Sequence, residues 1–293
     1  MFDIQRFTAA SDAADAVRLL REDPDAVLIA GGTDVLIRIR EGKLPDAHLV
    51  SIHGLPELTG VRRTPDGTIV IGPATPFAVL AADPIIQTCL PFLGEAVSRV
   101  GGPQTREAGT VGGNLVNGAT SADSAPSLCA LNAQLVLRSA DGTRTVPITA
   151  FYTGPGRTVR RRDELLTEIR ILPEDYAGFA GETVKYGKRA AMEIATLGCA
   201  VMVRLSDDKR TVRALRLAYG VAAPTPIRCP QAEAAAVGKP VSTALADEIA
   251  HAVLDEVNPR SSWRASREFR LQLIEELTRR AFRAAVIRAG GAI

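Results

Sequence analysis

The chain has 293 residues, of which 46% are hydrophobic and 23% charged, and a formal net charge of +2. A chain of this size buries about three-quarters of its unfolded surface and has room for two domains, which excludes disordered and fibrous classes. The near-neutral charge offers no overall field for nucleic acid or an anionic membrane, no apolar run approaches the ~18 residues of a membrane span, and the opening MFDIQRF has no apolar signal-peptide core, so a cytoplasmic protein is expected.

Ser11 is placed to cap a helix through Ala13, Val17, Leu19 and Leu20 that stops before Pro24. The apolar run 26–30 ends in Gly31-Gly32 and predicts a buried strand feeding a tight turn. A short helix follows over 34–42, with Thr33 or Asp34 as its cap and Gly42 as its stop. Strands are predicted at 50–52 and 68–71, the second after the Pro65-Asp66-Gly67 turn. Gly101, Gly102, Gly109, Gly112, Gly113 and Gly118 then fall within 18 residues, ahead of a helix-like stretch at 124–132. Segments 135–138 and 145–148 make a hairpin about Asp141-Gly142. A strand at 165–172 ends at Pro173, and 174–181 reads as a linker. Two alternating strands, 199–205 and 212–219, flank a polar turn. After Pro230 the chain is alanine-rich and helical, and the last helix lines up Phe269, Leu273, Leu277 and Ala281.

Cys89, Cys129, Cys199 and Cys229 are dispersed with no CxxC, and His48, His53 and His251 form no HExxH. Zinc and iron–sulfur sites draw several ligands from one loop, so no metal site is expected and the thiols read as small core residues. No GxSxG elbow suggests a nucleophilic serine. The basic run Arg160-Arg161-Arg162 has no interleaved aromatics, so it reads as an exposed turn. From Arg260 onward eight arginines face three acids, either a solvated helix face or a partner-binding patch with Arg264, Arg267 and Arg270 at the contact.

Two loops are informative: Ala30-Gly31-Gly32-Thr33-Asp34 and Thr110-Val111-Gly112-Gly113-Asn114. Paired glycines let a backbone turn successive N–H groups toward one anion and approach a ligand closely, and a following helix adds its positive end. Singly, each fits an ordinary turn. Together, with Asn117, Thr120, Ser121 and Asp123 downstream, they suit the two sides of a diphosphate. No GxxxxGK[ST] is present, and Gly154-Pro155-Gly156 matches the Rossmann fingerprint only in part, so a dinucleotide site here is of another kind.

AGGTD followed by TVGGN resembles the flavoprotein subunit of molybdenum hydroxylases. The segments FYTGPG (151–156), AYGVAAPTPIRC (218–229) and PRSSWRASREFR (259–270) are similar to the FAD-binding subunits of bacterial three-subunit xanthine dehydrogenases, and the resemblance spans essentially the whole chain. It implies an α+β fold: a two-subdomain FAD-binding domain of the vanillyl-alcohol-oxidase (PCMH) type over 1–177, divided near residue 58, then a C-terminal domain of small antiparallel sheet plus helix bundle over 178–293. It implies non-covalent FAD, its diphosphate wrapped on one side by Leu28, Ile29, Ala30, Gly31, Gly32, Thr33, Asp34 and Val35 and on the other by Thr110, Gly112, Gly113 and Asn114. Asn117 and Asp123 then face the ribityl and phosphate region, Leu165 or Leu166 the adenine, and Lys185 the flavin. The segment 189–195 lies at the isoalloxazine edge, with Glu193 and Ile194 nearest the reacting face and no catalytic side chain required.

Three positions depart from that pattern. Gln104-Thr105-Arg106-Glu107 replaces a run without the acid, and a carboxylate at Glu107 beside the diphosphate is unfavourable unless Arg106 pairs with it. Glu193 replaces a shorter acid, and Val100 replaces an aromatic that stacks on adenine. The implied function is electron transfer from [2Fe–2S] clusters through FAD to NAD⁺, with molybdopterin and iron–sulfur centres on partner subunits. The alternatives are the flavoprotein subunit of a carbon monoxide, nicotinate or aldehyde oxidoreductase, or a flavin-binding scaffold without turnover.

Overall fold

The computed structural model describes residues 2–293. The chain opens with β1 (Ile4–Ala9), α1 (Ala13–Glu22), β2 (Val27–Ile29), α2 (Val35–Arg40) and β3 (Ala47–Ser51). The strands form a parallel sheet in the order β1-β3-β2, which the helical crossovers make possible. Asp12, not Ser11, caps α1, because its carboxylate accepts from the Asp15 N–H. Ala13, Ala16, Val17 and Leu19 of α1 bury one face against Val50 and Ile52.

The chain continues through β4 (Val61–Arg63), β5 (Ile69–Ile71), six short helices, α3 (Phe77–Ala82), α4 (Pro84–Cys89), α5 (Pro91–Ser98), α6 (Pro103–Ala108), α7 (Val111–Val116) and α8 (Ala125–Ala130), and the hairpin β6 (Gln134–Ser139) and β7 (Gly142–Pro147). A small ribbon, β8 (Tyr152–Gly154) and β9 (Arg157–Thr158), and then β10 (Leu165–Ile171) and α9 (Pro173–Tyr176) complete this part. The sheet is antiparallel, ordered β4-β5-β10-β6-β7. β10 has a register shift between Leu166 and Glu168. Because adjacent strand residues face opposite ways, Leu165 enters the core with Val50, Leu58 and Ala74, while Leu166 joins that of the larger sheet.

The rest is β11 (Ala180–Tyr186), β12 (Leu197–Leu205), β13 (Val212–Gly220), β14 (Ile227–Arg228), α10 (Pro230–Ala236), α11 (Thr243–Ala252) and α12 (Arg267–Arg288), with the strands antiparallel in sequential order. The predicted linker at 174–181 is therefore a helical turn and the start of β11. β12 is buried on both faces, which explains its nearly unbroken apolar sequence. Val201 and Val203 pack with Leu277, Phe282 and Ala285 of the last helix, while Ala200 and Met202 pack into the core of the preceding sheet. Ser266 caps α12 by accepting from the Phe269 N–H, and Leu273, Leu277 and Ala281 are buried as the stripe predicts, whereas Phe269 is 40% exposed.

Polar ties join the two halves. Arg216 donates to the Asp175 carboxylate at 2.7 Å and to the Ala130 carbonyl at 3.0 Å. Arg228 bridges Glu233 and Asn132, and Arg288 reaches Glu95 and the Gly181 carbonyl. Cys129, Cys199 and Cys229 are buried free thiols and Cys89 is half-buried. Among the described residues no helix is long and apolar enough to cross a membrane.

Candidate functional site

β2 delivers the chain into the first glycine loop. A Cβ on Gly31 would lie 1.7 Å from the Ala108 carbonyl oxygen, so this backbone abuts the approach to the second loop at a distance only glycine permits. Gly32 adopts φ +70°, the left-handed region, which turns the chain into α2. The N–H groups of Gly31, Gly32, Thr33 and Asp34 donate to no acceptor of the protein among the described residues. They form a run of unspent donors at one turn, the arrangement that receives an anion. Asp34 occupies the cap position of α2 but makes no side-chain cap. Leu28 and Ala30 back the loop against the core that holds Leu165, and Ile29 and Val35 pack into a neighbouring cluster.

The second loop is built differently from the expectation. The Gly112 N–H donates to the Pro73 carbonyl at 2.8 Å, and the Gly113 N–H to Thr110 Oγ1 at 3.2 Å. The Val111 N–H donates to the Thr75 carbonyl at 3.2 Å. These donors are consumed in fixing the loop, and a Cβ on Gly112 would lie 2.4 Å from Pro73 Cβ. What the loop offers is the exposed, Cβ-free surface of Gly113. Asn114 is held by Ser124, whose hydroxyl donates to Asn114 Oδ1 at 2.7 Å. Asn117 ends α7, half-buried.

A second region lies between α5, the 121–126 segment and β11–β13. Lys185 Nζ donates to Asp123 Oδ2 at 2.6 Å and to the Arg99 carbonyl at 3.0 Å. Burial pushes the Asp123 carboxyl up to about 6, against the pull of Lys185. Arg99, Ser121, Asp123, Thr183, Lys185 and Ala195 line a cavity here. Sequence reading found Asp123 and Lys185 but not Arg99, whose part comes from a backbone carbonyl that carries no sequence signal.

The 189–195 segment folds over Gly101: the Met192 N–H donates to the Gly101 carbonyl at 3.2 Å, with Met192 at φ +56°. Ile194 is 50% exposed. The Glu193 carboxylate turns back and accepts the Arg189 N–H. Partial burial raises its pKa, but the N–H groups of Arg189 and Lys188 hold it below the ordinary value. Glu193 thus braces its own loop.

The surroundings of three further residues bear on the sequence reading. Val100 is buried in the main core and offers no open face for stacking. Arg106 does not neutralise Glu107: it donates to the Val100 carbonyl at 3.1 Å, and Glu107 is exposed. Arg270 is 2% exposed and cannot touch a partner, because its guanidinium is spent on the carbonyls of Thr196 and Arg260 and the Ser262 hydroxyl. Leu165 and Leu166 are both buried, at 1% and 3% exposure.

Residues 2–174 match the family described as the FAD binding domain in molybdopterin dehydrogenase, and residues 182–285 the CO dehydrogenase flavoprotein C-terminal domain. The chain is 46% identical over 291 residues to the xanthine dehydrogenase FAD-binding subunit of Escherichia coli O157:H7, covering 99% of each. It is 32% identical over 280 residues to the carbon monoxide dehydrogenase medium chain of Hydrogenophaga pseudoflava, covering 95% of this chain and 96% of that one. The solved carbon monoxide dehydrogenase of that organism superposes with a TM-score of 0.92 over 98% of this chain and 99% of the other, at 32% identity. An α+β fold shared across both segments, a first glycine loop packed on the approach to the second and near-complete coverage lead to one conclusion: the chain belongs to the FAD-binding flavoprotein family of molybdopterin dehydrogenases.

Proposed function

We propose that this chain is the FAD-binding electron-transfer subunit of a xanthine dehydrogenase, receiving electrons from [2Fe–2S] clusters on one partner subunit, with molybdopterin on another, and passing them to NAD⁺. The observation that carries the reading is 46% identity over 99% of both chains to a subunit so described. Its resemblance to the medium chain of carbon monoxide dehydrogenase supports a place in a multi-subunit enzyme.

The residues fit FAD. The unspent N–H groups of Gly31 to Asp34 would hold the diphosphate, Gly31 lets that loop sit against Ala108, and Gly113 would let backbone approach the ligand without a Cβ. Thr110, Asn114 and Asn117 would border its other side. Leu165 and Leu166 would back the adenine from within the core rather than enclose it. Lys185, held between Asp123 and the Arg99 carbonyl, would keep a positive charge beside the flavin and stabilise negative charge on it. Ile194 would shield the reacting face from water, on a loop braced by Glu193. When bound, FAD supplies the exchange between one-electron and hydride chemistry, so the protein's tasks are orientation and electrostatics rather than proton transfer.

The deciding experiment is purification of the chain with its partners, analysis for FAD, molybdenum and iron, and anaerobic addition of xanthine and then NAD⁺. Bleaching of the flavin by xanthine and its recovery on NAD⁺ is the expected result. Co-purification with a hydroxylase that ignores xanthine would replace the substrate, and flavin reduced by neither xanthine nor NADH would reduce the chain to a scaffold.

A further inference from the structure

Trp263 is the only tryptophan of the chain and is 79% exposed. A large aromatic left in water is unexplained by the packing of its own domain. It sits on a tight turn closed by the Ser262–Ala265 bridge. Two cations flank the ring, the Arg264 guanidinium at 4.3 Å from its centroid and Lys188 Nζ at 5.9 Å. Lys188 lies between Lys185 and Ile194, so the indole stands beside the segment that edges the cavity. The turn is rigid: buried Arg270 donates to Ser262 Oγ at 2.8 Å and to the Thr196 carbonyl at 3.3 Å, tying the Trp263 turn to the start of β12, directly after Ile194.

The local charge is positive. Arg260, Arg267 and Arg189 add to Arg264 and Lys188, while of the nearby acids Glu193 is spent on the Arg189 N–H and Glu268 stands at the start of α12. A largely exposed indole with two mobile cations at its ring suits a single heterocyclic base carrying phosphates, since bases stack on aromatic side chains irrespective of identity and the displaced cations take phosphate oxygens. A polymer would need further open aromatics along a groove, whereas the neighbouring Phe269, 40% exposed, packs edge to face with Tyr186, which leaves Trp263 as the open ring of the patch.

We propose that Trp263, Arg264 and Lys188 form an adenine–diphosphate subsite for a nicotinamide dinucleotide, directing its nicotinamide end to the 185–195 segment. The proposal rests on the reading of NAD⁺ as acceptor.

Because Trp263 is the sole tryptophan, its fluorescence reports from the subsite itself. The FAD-loaded full chain is titrated with ADP-ribose, and its flavin is reduced anaerobically with NADH in a stopped-flow instrument. Saturable quenching by ADP-ribose, which also competes with NADH, is expected. Trp263→Ala raises the NADH concentration for half-saturation about tenfold, equivalent to about 1.4 kcal/mol, with the loss in half-saturation rather than in the limiting rate. Trp263→Phe recovers most of it, and Arg264→Gln with Lys188→Gln weakens the salt dependence. Flavin reduced by NADH without ADP-ribose quenching, or unchanged half-saturation in Trp263→Ala, overturns the subsite and leaves the acceptor reading standing. Wild-type flavin that NADH does not reduce overturns both. Loss of the quenching on adding the partner subunits, with NADH reduction intact, assigns the patch to a protein contact and overturns the subsite.

Discussion

Gly31→Ala tests the diphosphate cradle at its tightest point. The new methyl carbon would sit 1.7 Å from the Ala108 carbonyl oxygen and 2.5 Å from its carbon, both backbone atoms that no rotamer change can remove. The first loop must move away from Ala108 by more than an ångström, which carries the N–H groups of Gly31 to Asp34 out of register with a bound diphosphate. Hydrogen bonds to charged groups contribute about 1.5–3 kcal/mol each, so misplacing two of the four costs about 3–6 kcal/mol of FAD affinity, a factor of about 10²–10⁴. The assay is calorimetric titration of the apo chain with FAD, with flavin retention after desalting as a second readout. Gly54→Ala is the control: unlike Gly31, Gly54 has a positive φ, at +74°, but its Cβ would meet nothing within 4 Å, so the substitution costs about 1 kcal/mol of stability and leaves FAD binding unchanged. If Gly31→Ala bound FAD as the wild type does, the first loop would not hold the diphosphate.

Other substitutions separate the remaining forces. Burial raises the Asp123 carboxyl from 3.8 to about 6, so the folded chain holds a proton that the unfolded chain releases. Its favourable contribution is full below pH 3.8 and is lost as pH rises through about 6, a change of about 3 kcal/mol. Asp123→Asn flattens that limb of the melting temperature against pH, and an unchanged profile would refute the assignment. Arg216→Ala leaves the nearly buried Asp175 carboxylate without its cation and costs about 3–5 kcal/mol in urea denaturation. Arg270→Ala strips donors from Thr196, Arg260 and Ser262 and destabilises by about 3 kcal/mol, with hydrogen exchange rising over 258–266. Glu107→Gln, at an exposed side chain, shifts FAD affinity negligibly, and a large gain would mean that the carboxylate faces the cofactor after all.

Periodicity and turn chemistry located many of the elements because they are local properties. The hairpin about Asp141-Gly142 and the stripe of Leu273, Leu277 and Ala281 lie where those patterns put them. The 174–181 segment was not legible, because its order comes from Asp175 pairing with Arg216 and from β11 pairing with β12, partners that follow it by 21 residues or more. Nor did pattern reveal β1, exposed along most of its length and formed by pairing with the distant β3.

For the site, the amino-acid sequence by itself pointed to an anionic ligand, because paired glycines can bring backbone close to an anion, and the long matched segments pointed to the family. Only the tertiary structure decided which donors remain free. The second loop has the same Gly-Gly signature as the first, yet Pro73 and Thr110 consume its N–H groups, while those of Gly31 to Asp34 stay unspent. Arg270 shows the same division, since composition counts it with a basic surface and packing buries it under the Trp263 turn. The physical reason is that a hydrogen-bonding group's availability depends on what lies opposite it in space, and the chain supplies that neighbour from a remote segment.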